Sequence, residues 1–318
     1  MARAFGSRTI VLAAFAGDLL IALAKFVAGA LAGSSAMLSE GVHSLVDTVN
    51  SVLLLYGMHR AKQPADADHP FGHGRELYFW SFMVALLVLA LGAGISFYEG
   101  LLHLRRPEPL SDARLSYIVL AVSFAFEGGS WWIALQGVRA RKGKCGYLEA
   151  FERSKDPSDF TVLLTDTAAL VGLLLALGGV LGSHLLHSPY ADGAASIGIA
   201  IVLAGTSILL LRETKGLLIG EPAPPRVSES IMAIARQERG VRCANGVLTF
   251  QMGPDQVVAN LSAEFDDGMN ADQIEQCINR IEDRVKQEHA DIVALFVKPQ
   301  SARTWREHTR GLRRRNAR

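Results

Sequence analysis

The sequence of 318 residues is poor in several things that would name a chemistry. Its three cysteines, Cys145, Cys243 and Cys277, are scattered without C-x-x-C spacing. That excludes a disulfide framework and a zinc ribbon, and leaves free thiols suited to a reducing compartment. There is no G-x-x-x-x-G-K-[ST] and no G-x-G-x-x-G. The first absence argues against an ATP-driven pump, and both argue against a nucleotide-dependent enzyme. No nucleophile–base arrangement stands out either, so the chain is expected not to be an enzyme and to need no organic cofactor. The formal net charge is only +1, too small to predict nucleic acid as a partner.

Apolar residues are what the chain has. They make up 50% of it, and the mean hydropathy is +0.23. A membrane helix needs about 20 mostly apolar residues. Six segments meet that length: 9–32, 37–59, 76–103, 113–138, 159–184 and 191–214. The opening "MARAFGSRTIVLAAFAGDLL" starts like a signal peptide, but its apolar run continues through Asp18 and Lys25 without a clear A-x-A cleavage site. It reads as a retained first membrane helix.

After "EPAPP", a Pro-rich linker, the composition becomes that of a soluble domain. A helix over 226–239 precedes the strands "VLTFQM" and "VVANLSAEF"; a helix over 270–289 and the strand "IVALFVKP" follow. The order α-β-β-α-β predicts a small α+β sheet with helices on one face. The expected organisation is a six-helix membrane domain over 1–220, an α+β domain over 221–300, and a disordered basic tail over 301–318, solvated or near anionic headgroups. Lys and Arg crowd the 2–3 and 4–5 connections (Arg60, Lys62, Arg75; Arg139, Arg141, Lys142, Lys144, Arg153, Lys155). The positive-inside rule makes those loops cytoplasmic, and six spans then put both termini in the cytoplasm. A plasma (inner) membrane location is expected.

Ionisable residues inside a membrane are costly and usually functional. The second span carries His43 and Asp47, four residues apart and so on one helix face. Imidazole nitrogen and carboxylate oxygen suit zinc and its first-row neighbours, although a His–Asp hydrogen bond that fixes helix packing would also explain the pair. The fifth span adds Asp166 in an apolar run. His43, Asp47 and Asp166 would give three ligands and one open position, suited to exchange. Thr165 is a weak fourth candidate, because adjacent helix positions do not face each other. Asp18, Lys25, Glu40, Glu99 and Glu127 read as interhelical hydrogen-bonding groups, with Glu127 able to line the same cavity. In the 2–3 loop, Asp66, Asp68, His69 and His73 fall within eight residues. They form either a polar capping loop or a peripheral metal site.

Taken together, "GSSAMLSEGVHSLVDTVNSVLLLYG", "HPFGHGRELYFW", "LLTDTAALVGLLLALGG" and "YADGAASIGIAIVL" resemble the cation diffusion facilitator family, in its zinc-transporter-like branch. The resemblance covers most of the chain. It implies homodimers with six membrane helices and a cytoplasmic ferredoxin-like domain, exchanging divalent metal, commonly zinc, for protons. It places the transport site on His43, Asp47 and Asp166, and a secondary loop site on Asp66, His69 and His73. Two departures stand out. Well-known zinc transporters place His where this chain has Val162, and "LLTD" resembles a Leu-Leu-Glu-Asp branch with Thr165 replacing Glu. The fourth ligand is therefore open, as is the choice of zinc over manganese, iron or cobalt. The partners expected are divalent metal, protons, a lipid bilayer and a second copy of the chain. The alternative is a membrane-bound metal sensor or scaffold that does not transport.

Overall fold

The computed structural model describes residues 6–32, 35–105, 113–142, 146, 151, 154–185 and 190–315. The chain divides into two units. One takes Met1–Lys62 and Glu76–Gly216, the other Gln63–Arg75 and Leu217–Arg318. The 2–3 loop thus groups with the C-terminal unit rather than with the helices that flank it.

The first unit is a helical bundle. Its elements are α1 (Ser7–Ala32), α2 (Ser35–Arg60), α3 (Arg75–Leu87), a π-helical turn (Val88–Ala93), α4 (Gly94–Arg105), α5 (Ala113–Lys142), α6 (Pro157–Leu185) and α7 (Ala191–Ile219). α3, the π turn and α4 follow one another without a break and form a single span. Among the described residues, five helices are long and apolar enough to cross a membrane: Ser7–Val27, Arg75–Arg105, Tyr117–Lys142, Phe160–Ser183 and Ala191–Ile219. The sequence led us to expect six. The missing one is α2. At 26 residues it has the length, but Ser44, Asp47, Thr48, Asn50 and Ser51 crowd its middle with polar groups. Two of those groups are matched by α1, along which α2 packs. Ser51 donates to Asp18 Oδ2 at 2.8 Å and Lys25 Nζ donates to Ser44 Oγ at 2.9 Å. On both helices the paired positions are seven residues apart and run in opposite order, so α1 and α2 are antiparallel. α5 packs against α6 and α1.

In the second unit, α8 (Pro225–Gln237), β1 (Val241–Gly253), β2 (Gln256–Phe265), α9 (Ala271–Glu288), β3 (Ile292–Pro299) and α10 (Ala302–Arg315) follow in order. The expected α-β-β-α-β order is present. β2 is central, antiparallel to β1 and parallel to β3, in an open three-stranded sheet. The parallel pairing needs a crossover, and α9 supplies it. One core joins the helices to one face of the sheet. Val227, Ile231 and Ile234 of α8 and Cys277, Ile281 and Val285 of α9 meet Val257, Ala259, Leu261 and Ala263 of β2. Helical spacing on one side meets period two on the other. α9 opens with a capping box: Asn270 Oδ1 accepts from Gln273 N, and Gln273 Oε1 accepts from Asn270 N, each at 2.9 Å.

The basic tail is a correction. Disorder was expected there from its charge density, but Ala302–Arg315 is helical. Its first turn is held: Ser301 Oγ accepts from Thr304 N at 3.3 Å and Glu264 Oε2 accepts from Ala302 N at 2.7 Å. The Trp305 ring lies so close over Gly246 of β1 that a methyl group there would overlap it. One aromatic anchor and a capped end offset the repulsion among the arginines.

Candidate metal sites

The 2–3 loop is built by local hydrogen bonds. Asp66 Oδ1 accepts from the backbone N–H of Asp68 at 3.0 Å and of His69 at 2.6 Å, an Asx-type turn. Gly72 N donates to His69 O at 2.9 Å, closing a turn with Pro70 second and Gly72 fourth. Gly72 has φ +85°, which glycine alone adopts freely. These turns bring the ligand atoms of Asp66, His69 and His73 within 4.8 Å of one another. Asp66 Oδ1 lies 3.3 Å from His69 Nδ1, and Oδ2 lies 2.9 Å from His73 Nε2. His73 is buried, and its Nδ1 has no hydrogen-bond partner. The hydrogen bond from His73, followed by the one from the His69 backbone, lowers the Asp66 carboxyl from its ordinary 3.8 to about 2. A carboxylate that stays ionised beside two imidazoles offers the oxygen and nitrogen donors that suit a first-row divalent ion. Phe71 stacks edge-on with Phe296 at 6.3 Å, and Arg75 lies 4.5 Å from the Phe250 ring, so the loop is seated on its own unit.

The membrane candidates come from helices far apart in sequence. The side chain of His43 lies outside the described residues, as does that of Glu40. Asp166 on α6 is 6% exposed and accepts from Ser130 Oγ of α5 at 2.7 Å. One residue further on each helix, Trp131 Nε1 donates to Thr167 Oγ1 at 2.9 Å. Asp18, Asp47, Glu127 and Asp166 lie close enough to interact electrostatically, and Lys25 is the cation that opposes them at Glu127. So α1, α2, α5 and α6 each bring a carboxylate to one region. Asp18 and Lys25, read from sequence as interhelical hydrogen-bonding groups, do make such bonds to Ser51 and Ser44.

Thr165, the weak fourth candidate, is turned back on its own helix. Its hydroxyl donates back into its own helix, to Thr161 O at 2.8 Å and Val162 O at 3.1 Å. Sequence reading missed Ser44, Ser51 and Ser130, the hydroxyls that hold the charged groups. The spacing of the first two was a usable signal: Ser44 and Ser51 flank Asp47 at i−3 and i+4. Ser130 had no such mark.

A family description, the cation efflux transmembrane domain, matches residues 11–219, well over half of the chain. The chain belongs to the cation efflux family. Family membership places it with transporters rather than enzymes. This cation efflux protein is 30% identical over 244 residues to the Xenopus laevis "Proton-coupled zinc antiporter SLC30A9, mitochondrial", covering 76% of this chain and 44% of the relative. It is 29% identical to the human protein of the same name, over 82% of this chain and 46% of the relative. It thus spans under half the length of these relatives. The Bacillus subtilis manganese efflux system protein MneP is 24% identical over 92% of this chain and 95% of its own. The expected plasma-membrane location is overturned: the relatives from Xenopus laevis, mouse, human and Pongo abelii are all named as mitochondrial. A charge rule applied to loops orients helices, but it does not say which membrane holds them.

Proposed function

We propose that this chain exchanges divalent metal, zinc foremost, for protons across a membrane. Metal binds at His43, Asp47 and Asp166, and the same groups take protons in the other state. Coordination requires neutral imidazole and ionised carboxylate, so proton and metal compete for one set of atoms. Imidazole has an ordinary pKa of about 6.5, which makes that competition effective near neutral pH. In this reading α2 is the sixth membrane helix, its polar middle shielded by α1 and the ion. The C-terminal unit is ferredoxin-like, and the working form is a homodimer. Asp66, His69 and His73 form a peripheral site off the transport path.

One observation carries the reading: Asp166 sits buried in the bundle within electrostatic reach of Asp47, and among the described residues a serine hydroxyl, that of Ser130, donates to it. Carboxylates brought from four helices into one buried region are suited to a cation that comes and goes. The relatives' names support zinc and proton coupling, while the manganese efflux relative widens the range of metals to be tried. The experiment is flux into proteoliposomes with the pH gradient imposed or collapsed, across zinc, manganese, cobalt and iron. Uptake that follows the gradient and disappears in Asp47→Ala with Asp166→Ala supports the proposal. Gradient-independent uptake removes the proton coupling, and wild-type flux in the double variant removes the shared site. A protein that binds metal but moves none across any gradient would be a sensor.

A further inference from the structure

Five helices of the first unit meet in one apolar layer. Ala14 of α1, Leu54 of α2, Leu77 of α3, Ala134 of α5 and Val162 of α6 are buried in a single cluster. Four residues from each, about one helical turn, stands a polar residue: Asp18, Asn50, Ser81, Ser130 and Asp166. The step runs forward along α1, α3 and α6 and backward along α2 and α5. Those directions agree. α2 runs against α1, through the Asp18–Ser51 and Lys25–Ser44 bonds. It runs against α3 through Arg60–Glu76 at 3.0 Å and the close approach of Gly57 to Trp80. α5 runs against α6, since Ser130 bonds Asp166 while Ala134 and Val162 share the layer. All five polar residues therefore lie on the same side of the apolar layer and form a second, polar one.

Within that polar layer Asp18 and Asp166 accept hydrogen bonds from serines. Asn50 does not share in this. It is 7% exposed, and its Oδ1 has no hydrogen-bond partner. Leaving a buried amide oxygen unmatched costs on the order of 1–3 kcal/mol, so it calls for a reason. Asn50 follows Asp47 by three residues and His43 by seven, which puts all three on one face of α2. The positions on α6 that could complete the ion's coordination are spoken for. Val162 belongs to the apolar layer, and the Thr165 hydroxyl is bonded to its own backbone.

We infer that the Asn50 carboxamide oxygen is the fourth protein ligand of the transported ion. The inference rests on reading His43, Asp47 and Asp166 as the transport site. A neutral oxygen suits this position because it adds a ligand without adding charge to a region that already holds Asp18, Asp47, Glu127 and Asp166. It also sets selectivity. Carbonyl oxygen favours harder ions such as manganese, whereas a nitrogen in its place favours zinc.

The test uses the full chain and compares wild type, Asn50→Leu, Asn50→His and Asp166→Ala. Zinc and manganese affinity are measured by calorimetry, and the flux ratio in proteoliposomes, after circular dichroism and gel filtration confirm folding. Asn50→Leu, of similar volume, is expected to weaken manganese binding by about 10-fold and zinc less. Asn50→His is expected to raise the zinc-to-manganese ratio by about 10-fold. Asp166→Ala is expected to lose both metals. Wild-type affinity and ratio in both Asn50 variants, with Asp166→Ala inactive, overturn the inference and leave the site standing. Wild-type behaviour in Asp166→Ala overturns the reading of the site, and the inference with it. If Asn50→Leu does not fold, Asn50→His alone decides: an unchanged ratio makes Asn50 a packing residue.

Discussion

Asp66, His69 and His73 fall within one turn-rich loop, whereas Asp18, Asp47, Glu127 and Asp166 arrive from four different helices. In the loop, the hydrogen bonds that shape the backbone also aim the ligands: the carboxylate that would hold metal is the one that accepts from the Asp68 and His69 N–H groups. Little desolvation is needed, since Asp66 and His69 are each about half exposed. In the bundle the ligands are aimed by tertiary packing, and each carboxylate loses water. Serines replace that water only in part. A site of the first kind can hold an ion wherever the loop is folded. A site of the second kind gathers carboxylates away from water, so a bound proton or metal would stabilise it. Under the proposed exchange, that difference suits the bundle to a coupled ion and the loop to a peripheral one.

The comparison breaks most sharply at Asp166. Asp166→Ala should lower metal flux by about 100-fold or more, above the loss typical of residues that merely support a ligand. A smaller loss, measured in proteoliposomes on folded protein, would make the buried group structural. Ser130→Ala removes the hydroxyl that donates to Asp166 and should weaken zinc affinity by about 10-fold by calorimetry. Asp66→Ala with His69→Ala should leave flux within about threefold of wild type while abolishing any metal bound at the loop, since half-exposed groups contribute little to a buried path. Complete loss of flux there would place the loop on the path and erase the distinction drawn here.

The loop also has a pH signature. Asp66 has a lowered carboxyl, so its stabilising contacts are present above the ordinary carboxylate range and fade as pH falls through about 2. In the isotope-labelled chain, the Asp66 carboxyl carbon should titrate near that value, and His73→Ala should move the midpoint upward. An unmoved midpoint would mean that His73 does not hold the carboxylate. Smallest of all is Thr165→Val. The hydroxyl is turned into its own helix, so the zinc-to-manganese flux ratio should stay within about twofold of wild type by the stated geometry.

The loop's ligands were legible in the sequence because they are neighbours there. The α+β order was legible too, since helical spacing over 226–239 and 270–289 alternates with short runs rich in Val, Leu and Phe. Asp166 was legible as a charge in an apolar run. Asn50 and Ser130 were not: a lone serine or asparagine in a helix is unremarkable until the packed helices show which turn each occupies. In α2 the sequence showed His43 and Asp47 as charged positions, but Ser44, Thr48, Asn50 and Ser51 beside them were not weighed when the spans were counted. The tail misled in the opposite sense. Its arginines signalled disorder, while one tryptophan and a serine cap organise its first turn.

The apolar layer of Ala14, Leu54, Leu77, Ala134 and Val162 has a further consequence. Its side chains carry no donor and no acceptor, and the backbone of its helices is bonded along their axes. A proton crosses a protein by passing along a chain of hydrogen bonds, and an ion by exchanging one oxygen for the next. Neither finds a step there for about 6 Å, the rise of one turn at 1.5 Å per residue. The layer is an insulator as well as a packing core. In the proposed exchange, a proton or an ion would pass this level only if the helices that carry Leu54 and Val162 part, as charge crosses a thin dielectric only where it is breached.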